Sequence, residues 1–278
     1  MNFIDTHQHL ILRDHFGYEW TLEDPILATG DFTPQDYAGL TTNFGVLGAI
    51  FMETGVDDVD YKAEARYVAH LVKSKTMLGQ IASCRPEDSD DFDQWLDECG
   101  QLNVVGLRRI LHVMPDELSQ TDSFRSNIQK IGQAGLPFDI CMFARQLPIA
   151  AQLIRHCDDQ VFVLDHCGVP EIAAGEFDLW ARGLAEVAAL PQVNIKLSGI
   201  AAYCAPGTAN VETLRPWVDR VLELFGPDRM VWGSDWPVVN TRSTLPDWLD
   251  MTRQLLNELS PDERSAIGEH NARRIYGV

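Results

Sequence analysis

Val161-Phe162-Val163-Leu164-Asp165-His166-Cys167-Gly168 is the stretch that decides the fold. Four apolar residues run straight into an acid and an imidazole and stop at a glycine. The apolar part is too short for a helix and is bounded by a turn residue. It reads as a strand buried on both faces, with polar chemistry at its C-terminal end. Working outward in both directions, runs of the same kind recur at 3–6, 47–53, 77–83, 104–111, 138–142, 193–197 and 230–233. Together with 161–165 they make eight candidate strands.

Amphipathic stretches of helical length lie between them, at 61–73, 92–99, 124–134, 147–157, 177–189, 211–225 and 245–259. In the first of these Ala65, Val68, Ala69 and Val72 fall at helical spacing. Strand followed by helix, repeated, predicts a parallel sheet with helical crossovers. Eight repeats in 278 residues predict an α/β protein with a single-domain (β/α)₈ TIM barrel over 1–278, rather than an open sheet. No G-x-G-x-x-G follows a strand, so the dinucleotide signature is missing. The least regular segment, 10–42, is a long loop after strand 1 at the face where barrels carry their catalytic groups. Its Phe16, Tyr18 and Trp20 read either as a substrate lid or as packing for the insertion.

Composition narrows the function. Hydrophobic residues are 45% and charged residues 23%, ordinary for a globular enzyme, and the formal charge is -19. Nucleic-acid binding needs a basic footprint, so no nucleic-acid partner is expected. The same charge disfavours anionic membranes. No apolar run reaches the ~20 residues of a membrane span, and no signal peptide is visible. The six cysteines form neither a C-x-x-C pair nor a disulfide pattern. A cytoplasmic enzyme or binding protein is the expectation, with a small-molecule substrate and room for a homodimer.

The polar residues that end the apolar runs carry the chemistry. His7 and His9 follow the first run and share strand parity, so both imidazoles point into the barrel mouth. Asp5, of the same parity, is placed to orient one of the rings. His166 ends the sixth run and Asp235 the eighth; in a regular strand Asp165 points away. A carboxylate after so apolar a strand calls for a partner or a role. Lys196 and Ser198 end the seventh run, facing inward, with Lys196 read equally as a substrate contact or a structural ion pair. Glu53 ends the second run and carries the same two readings. Trp236 and Tyr203 offer apolar faces to a substrate or to the core. Arg109 reads as an outward salt bridge. Among the remaining histidines, His112 alone stands near the mouth.

Asp5-Thr6-His7-Gln8-His9, Asp165-His166-Cys167-Gly168 and Gly233-Ser234-Asp235-Trp236-Pro237 together resemble the hydrolase barrels of the amidohydrolase superfamily. More narrowly, they resemble its amidohydrolase-2 branch, which includes sugar lactonases and the 2-pyrone-4,6-dicarboxylate lactonase. The ending 271–277, Asn-Ala-Arg-Arg-Ile-Tyr-Gly, fits that branch too. The resemblance implies a hydrolase opening a lactone ring, an aldonolactone such as fuconolactone, galactonolactone or rhamnonolactone. Asp235 then activates water while His7, His9 and His166 polarise the carbonyl. It further implies substrate binding by Arg108, in Gly106-Leu107-Arg108. Two-metal members carry a bridging lysine or glutamate after strand four and a histidine after strand five; both are missing here. Two readings stay open: one divalent ion, zinc foremost, held by His7, His9, His166 and Asp235, or no metal, as in the branch's metal-independent members. The alternative activity is a metal-dependent non-oxidative decarboxylase of an unsaturated or aromatic acid. A non-catalytic binding barrel is the third reading.

Overall fold

The computed structural model describes residues 1–72 and 76–278. Eight parallel strands pair in sequence order: β1 (Phe3–Gln8), β2 (Val46–Met52), β3 (Met77–Ser83), β4 (Val104–Ile110), β5 (Phe138–Cys141), β6 (Phe162–Leu164), β7 (Val193–Leu197) and β8 (Met230–Trp232). Backbone bonds from His9 N–H to the Trp236 carbonyl and from Asp235 N–H to the His7 carbonyl, both 2.8 Å, join the last strand to the first. The predicted (β/α)₈ barrel is therefore the fold.

The helices are α1 (Pro34–Thr41), α2 (Tyr61–Leu71), α3 (Phe92–Cys99), α4 (Asp122–Gln133), α5 (Leu147–His156), α6 (Phe177–Ala188), α7 (Val211–Phe225), α8 (Leu245–Leu255), α9 (Pro261–Ser265) and α10 (Asn271–Tyr276). The expected end of the first crossover helix, Lys73, lies outside the described residues. Local chemistry sets several helix starts. Thr33 and Asp36 cap each other reciprocally ahead of Pro34, while Asn210 and Thr244 accept from backbone N–H groups in the first turns of α7 and α8.

Two apolar layers result. The outer one lies between strands and helices and contains Phe3, Trp95, Phe138, Trp180, Trp232 and Trp248. Burying each such side chain contributes roughly 1.5–3 kcal/mol. The inner one fills the barrel with Ile4, Ile50, Met52, Ile81, Val163 and Val231, and takes Ala272 and Tyr276 from α10. The C-terminal helix thus closes the lower end of the barrel, so the site can open only at the upper rim. All six cysteines are buried free thiols. Among the described residues no helix is long and apolar enough to cross a membrane.

The segment 10–42 is more ordered than a loop, since it contains α1. Its aromatics divide. Tyr18 and Phe16 pack in a small cluster with Ile11, Leu27 and Val56, whereas Trp20 borders the cavity and donates from Nε1 to the Thr54 carbonyl at 3.0 Å.

Candidate active site

The ends of β1, β6 and β8 bring His7, His9, His166 and Asp235 together, but strict alternation does not hold at any of these ends. In β1 the pairing with β2 slips between Asp5 and Gln8. Asp5 therefore faces the helices, while His7 and His9 face the mouth. The expectation that Asp5 orients an imidazole is corrected. Its carboxylate accepts from the backbone N–H of His7 and of Ser234 and from the Tyr37 hydroxyl of α1.

β6 stops at Leu164, and His166 and Cys167 then adopt left-handed backbone at φ 52° and 56°. Asp235 does the same after β8, at φ 57°. Non-glycine residues seldom hold that conformation, and it concentrates at functional sites. The turn corrects a second expectation. Asp165 does not point away; it is fully buried against the site, 3.4 Å from His7 Nδ1 and 3.3 Å from both Arg108 Nη1 and Lys196 Nζ. Two glycines make room for the side chains. A Cβ on Gly233 would lie 2.6 Å from His7 Cβ, and one on Gly199, itself at φ 68°, would collide with His166 Nδ1.

His7 Nε2 and His9 Nε2 lie 3.8 and 3.4 Å from Asp235 Oδ1, and His166 Nδ1 is 3.1 Å from Ser198 Oγ. Burial drives the pKa of His7 well below its ordinary value and that of His166 down too, so both stand neutral at pH 7. Asp165 is opposite. Burial alone would raise its carboxyl, yet Lys196, His7 and Arg108 outweigh that and hold it well below the usual carboxylate range.

Arg108 and Glu53 border the cavity as expected. They also bind each other, with Arg108 Nε donating to Glu53 Oε1 at 2.8 Å and Nη2 to the Glu53 carbonyl at 2.7 Å. Arg109 pairs with Glu87 at 2.5 Å. Lys196 and Trp236 lie outside the cavity lining. Lys196 is fully buried and donates to Asp139 Oδ2 at 2.6 Å and to the Thr6 carbonyl at 3.0 Å. The Trp236 ring faces Phe32 and Tyr37 under the first loop. Of their two readings, the geometry carries the structural one for both. Tyr203 reaches the cavity beside His166.

Three lining groups had weak signals or none in the sequence. His112 Nδ1 is 3.2 Å from Cys141 Sγ, and burial, with Arg108 and His166 adding, lowers its pKa to about 4. Arg85, from the turn after β3, lies over the Tyr61 ring at 4.3 Å. No motif marked Arg85 or Cys141.

These groups surround a cavity of about 430 Å³ at the C-terminal rim. Its base fits a metal ion. His9 Nδ1 sits 3.0 Å from the Met52 carbonyl, an acceptor, so Nδ1 carries the hydrogen and the Nε2 lone pair faces the Asp235 carboxylate. A proton on Nε2 or a metal cation would each reconcile these two atoms, and the donor set fits the metal. His7, His166 and Asp235 offer further ligand atoms within 4.8 Å of one another. Ligand atoms around tetrahedral zinc are about 3.3 Å apart, given Zn–N and Zn–O lengths near 2.0–2.1 Å, close to the 3.4 Å found here.

A parallel barrel with imidazoles and a carboxylate meeting at its C-terminal rim has the arrangement of a hydrolase barrel with candidate metal ligands. The chain matches the Amidohydrolase family model over residues 4–278 and belongs to that family. It is similar to an L-fucono-1,5-lactonase of Burkholderia ambifaria, 28% identical over 99% of this chain and 95% of that one. An amidohydrolase of Burkholderia multivorans with bound zinc superposes with a TM-score of 0.91, at 23% identity and full coverage of both chains. A 2,6-dihydroxybenzoate decarboxylase from Rhizobium gives 0.66 at 13% identity, with 99% of each chain covered.

Proposed function

We propose that the protein hydrolyses a neutral sugar acid lactone, an aldonolactone of the fuconolactone, galactonolactone or rhamnonolactone kind. The observation that carries this reading is the state of the cavity's cations. Among the described residues, the guanidinium groups lining it are Arg85, Arg108 and Arg109, and each already holds a carboxylate: Asp58 at 2.7 Å, Glu53 at 2.8 Å and Glu87 at 2.5 Å. A substrate carboxylate would have to compete with these partners for a guanidinium, whereas the Glu53 and Asp235 oxygens and the Tyr203 hydroxyl suit a polyhydroxy ring. The lactonase relative supports the same substrate class. Decarboxylation of an aromatic acid would bring a carboxylate into this cavity, and the likeness to such an enzyme is one of fold.

His7, His166 and Asp235, joined by His9 at 3.4 Å from Asp235, would hold one divalent ion, zinc by donor type, as the zinc-bound structural relative also suggests. When bound, such an ion supplies Lewis-acid polarisation of the carbonyl and acidification of water. The chain's own residues do the rest. Asp235 takes a proton from the attacking water as the water oxygen bonds to the lactone carbonyl carbon. The Arg108 guanidinium, fixed by Glu53 and Asp165, sits beside the site and favours the negative charge that develops on the carbonyl oxygen. The ring C–O bond then breaks, and Asp235 returns the proton to the departing alkoxide, giving the hydroxy acid. The six free thiols support a reducing, cytoplasmic setting.

A lactone panel read by a pH indicator, with and without chelator, tests the proposal. Neutral aldonolactones should exceed lactones bearing a second carboxylate by about 100-fold in kcat/KM. The reverse order would overturn the neutral-substrate reading, and no turnover of any lactone would overturn the activity.

A further inference from the structure

Below the site, inside the barrel, three polar side chains form a ladder that the proposed chemistry does not use. Tyr276, on α10, points its hydroxyl up the barrel axis to Asp139 of β5, 3.0 Å from Oδ1 and 3.2 Å from Oδ2. Asp139 Oδ2 accepts from Lys196 Nζ of β7 at 2.6 Å. Lys196 gives a second N–H to the Thr6 carbonyl, one residue before His7, at 3.0 Å. Its ammonium then stands 3.3 Å from Asp165 Oδ1 and 3.4 Å from His7 Nδ1. All three side chains are almost wholly shielded from solvent.

Stability alone does not call for this ladder. Tyr276 lies among Ile4, Met52, Val163 and Val231, where a phenylalanine ring would pack as well. A buried ion pair is often no better for stability than apolar residues of equal volume. What the ladder supplies is direction. The tyrosine hydroxyl holds the Asp139 carboxylate from below, and the carboxylate holds the ammonium under Asp165. The Lys196 ammonium also lies 5.6 Å from the centre of the Tyr276 ring, a second contact between tail and ladder. Asp165 Oδ1 has no hydrogen-bond partner of ordinary geometry, so its place beside His7 Nδ1 rests on these charges. The donor Arg108 Nη1, 3.3 Å from His7 Nε2, makes that nitrogen the acceptor, so the ring hydrogen sits on Nδ1, on the side of the Asp165 carboxylate.

We propose that Tyr276 is a positioning residue for His7, acting through Asp139, Lys196 and Asp165 from the opposite end of the barrel. The kinetic side of this rests on the lactonase reading; the structural side does not.

The test compares Tyr276→Phe, Asp139→Asn and the double variant with Ile275→Ala, which trims apolar packing of the same helix without touching the ladder. Two readouts are taken: kcat and KM on the best lactone, and the ring-nitrogen resonances of the histidines by NMR. Tyr276→Phe should lower kcat about tenfold with KM within about twofold, and the double variant should be no worse than the poorer single. The His7 ring nitrogens should shift while those of His112 stay. An unchanged His7 spectrum, or a kcat loss no larger than that of Ile275→Ala at equal thermal stability, would overturn the proposal. Should the wild type turn over no lactone, the His7 spectrum decides alone: shifted, the ladder positions His7; unmoved, it does not.

Discussion

His9 Nε2 faces Asp235 Oδ1 at 3.4 Å while the Met52 carbonyl holds the ring's other nitrogen at 3.0 Å. A backbone carbonyl at the end of β2 thus holds the hydrogen of His9, just past β1, on Nδ1 and turns Nε2 toward the aspartate. A cation in that gap turns a repulsion into two bonds.

Asp235→Asn tests this most directly. The substitution keeps the shape and removes the charge proposed to take the water proton. We expect kcat to fall by about 10³-fold or more while a lactone analogue still binds. Zinc affinity, measured by competition with a chromophoric chelator, should fall as well. A variant with near-normal kcat would remove Asp235 from proton transfer.

Arg108→Met reports on stability as much as on substrate. Arg108 sits between Glu53 and Asp165, both buried. Burial works against its charge, but these carboxylates outweigh the effect and push its pKa up. Taking the guanidinium away leaves Glu53 buried without its ion pair and Asp165 with Lys196 alone, so denaturant unfolding should show a loss of about 3–5 kcal/mol. A variant as stable as the wild type, with only KM raised, would make Arg108 a plain substrate contact.

Gly199→Ala should cost activity out of proportion to one methyl group. The position needs φ 68°, and the added carbon would push into His166 and lie 3.1 Å from Asp235 Oδ2. Strain of about 1–3 kcal/mol and a displaced imidazole predict at least a 100-fold loss of kcat/KM. Activity within a few-fold of wild type would show that His166 has slack.

Glu64 makes stability depend on pH. Burial, with Glu53 adding, pushes its carboxyl up to about 8 from an ordinary 4.5. The folded protein therefore keeps a proton that the unfolded chain loses, and stability falls as pH rises from about 4.5 to about 8. Glu64→Gln removes that slope. Its melting temperature should exceed that of the wild type at pH 8.5, with the gap closing toward pH 5. Parallel melting curves across that range would place the Glu64 pKa near its ordinary value.

The barrel was legible because its signal is repeated. The apolar runs at 77–83 and 193–197 became β3 and β7 to the residue, and 92–99 and 211–225 became α3 and α7. Repetition averages out local error, since a wrong end on one strand leaves the other seven in place. The convergence of His7, His9, His166 and Asp235 followed from knowing only that they end strands. What failed was orientation. Parity rules assume extended backbone, and the chain departs from it where the chemistry sits: a slipped pairing at Asp5–Gln8, left-handed turns at His166 and Asp235. Asp5 and Asp165 exchanged faces for that reason. Arg85 and Cys141 were hidden differently, because only tertiary contact brings them to the cavity.

The helix that stoppers the lower end of the barrel makes the cavity a dead end. Reactant and product must use one doorway in turn, so the hydroxy acid should inhibit by competing with the lactone. On the proposed reaction, a molecule of charge -19 would admit an uncharged lactone and make an anion of it, and its own field would then help to drive that anion back out.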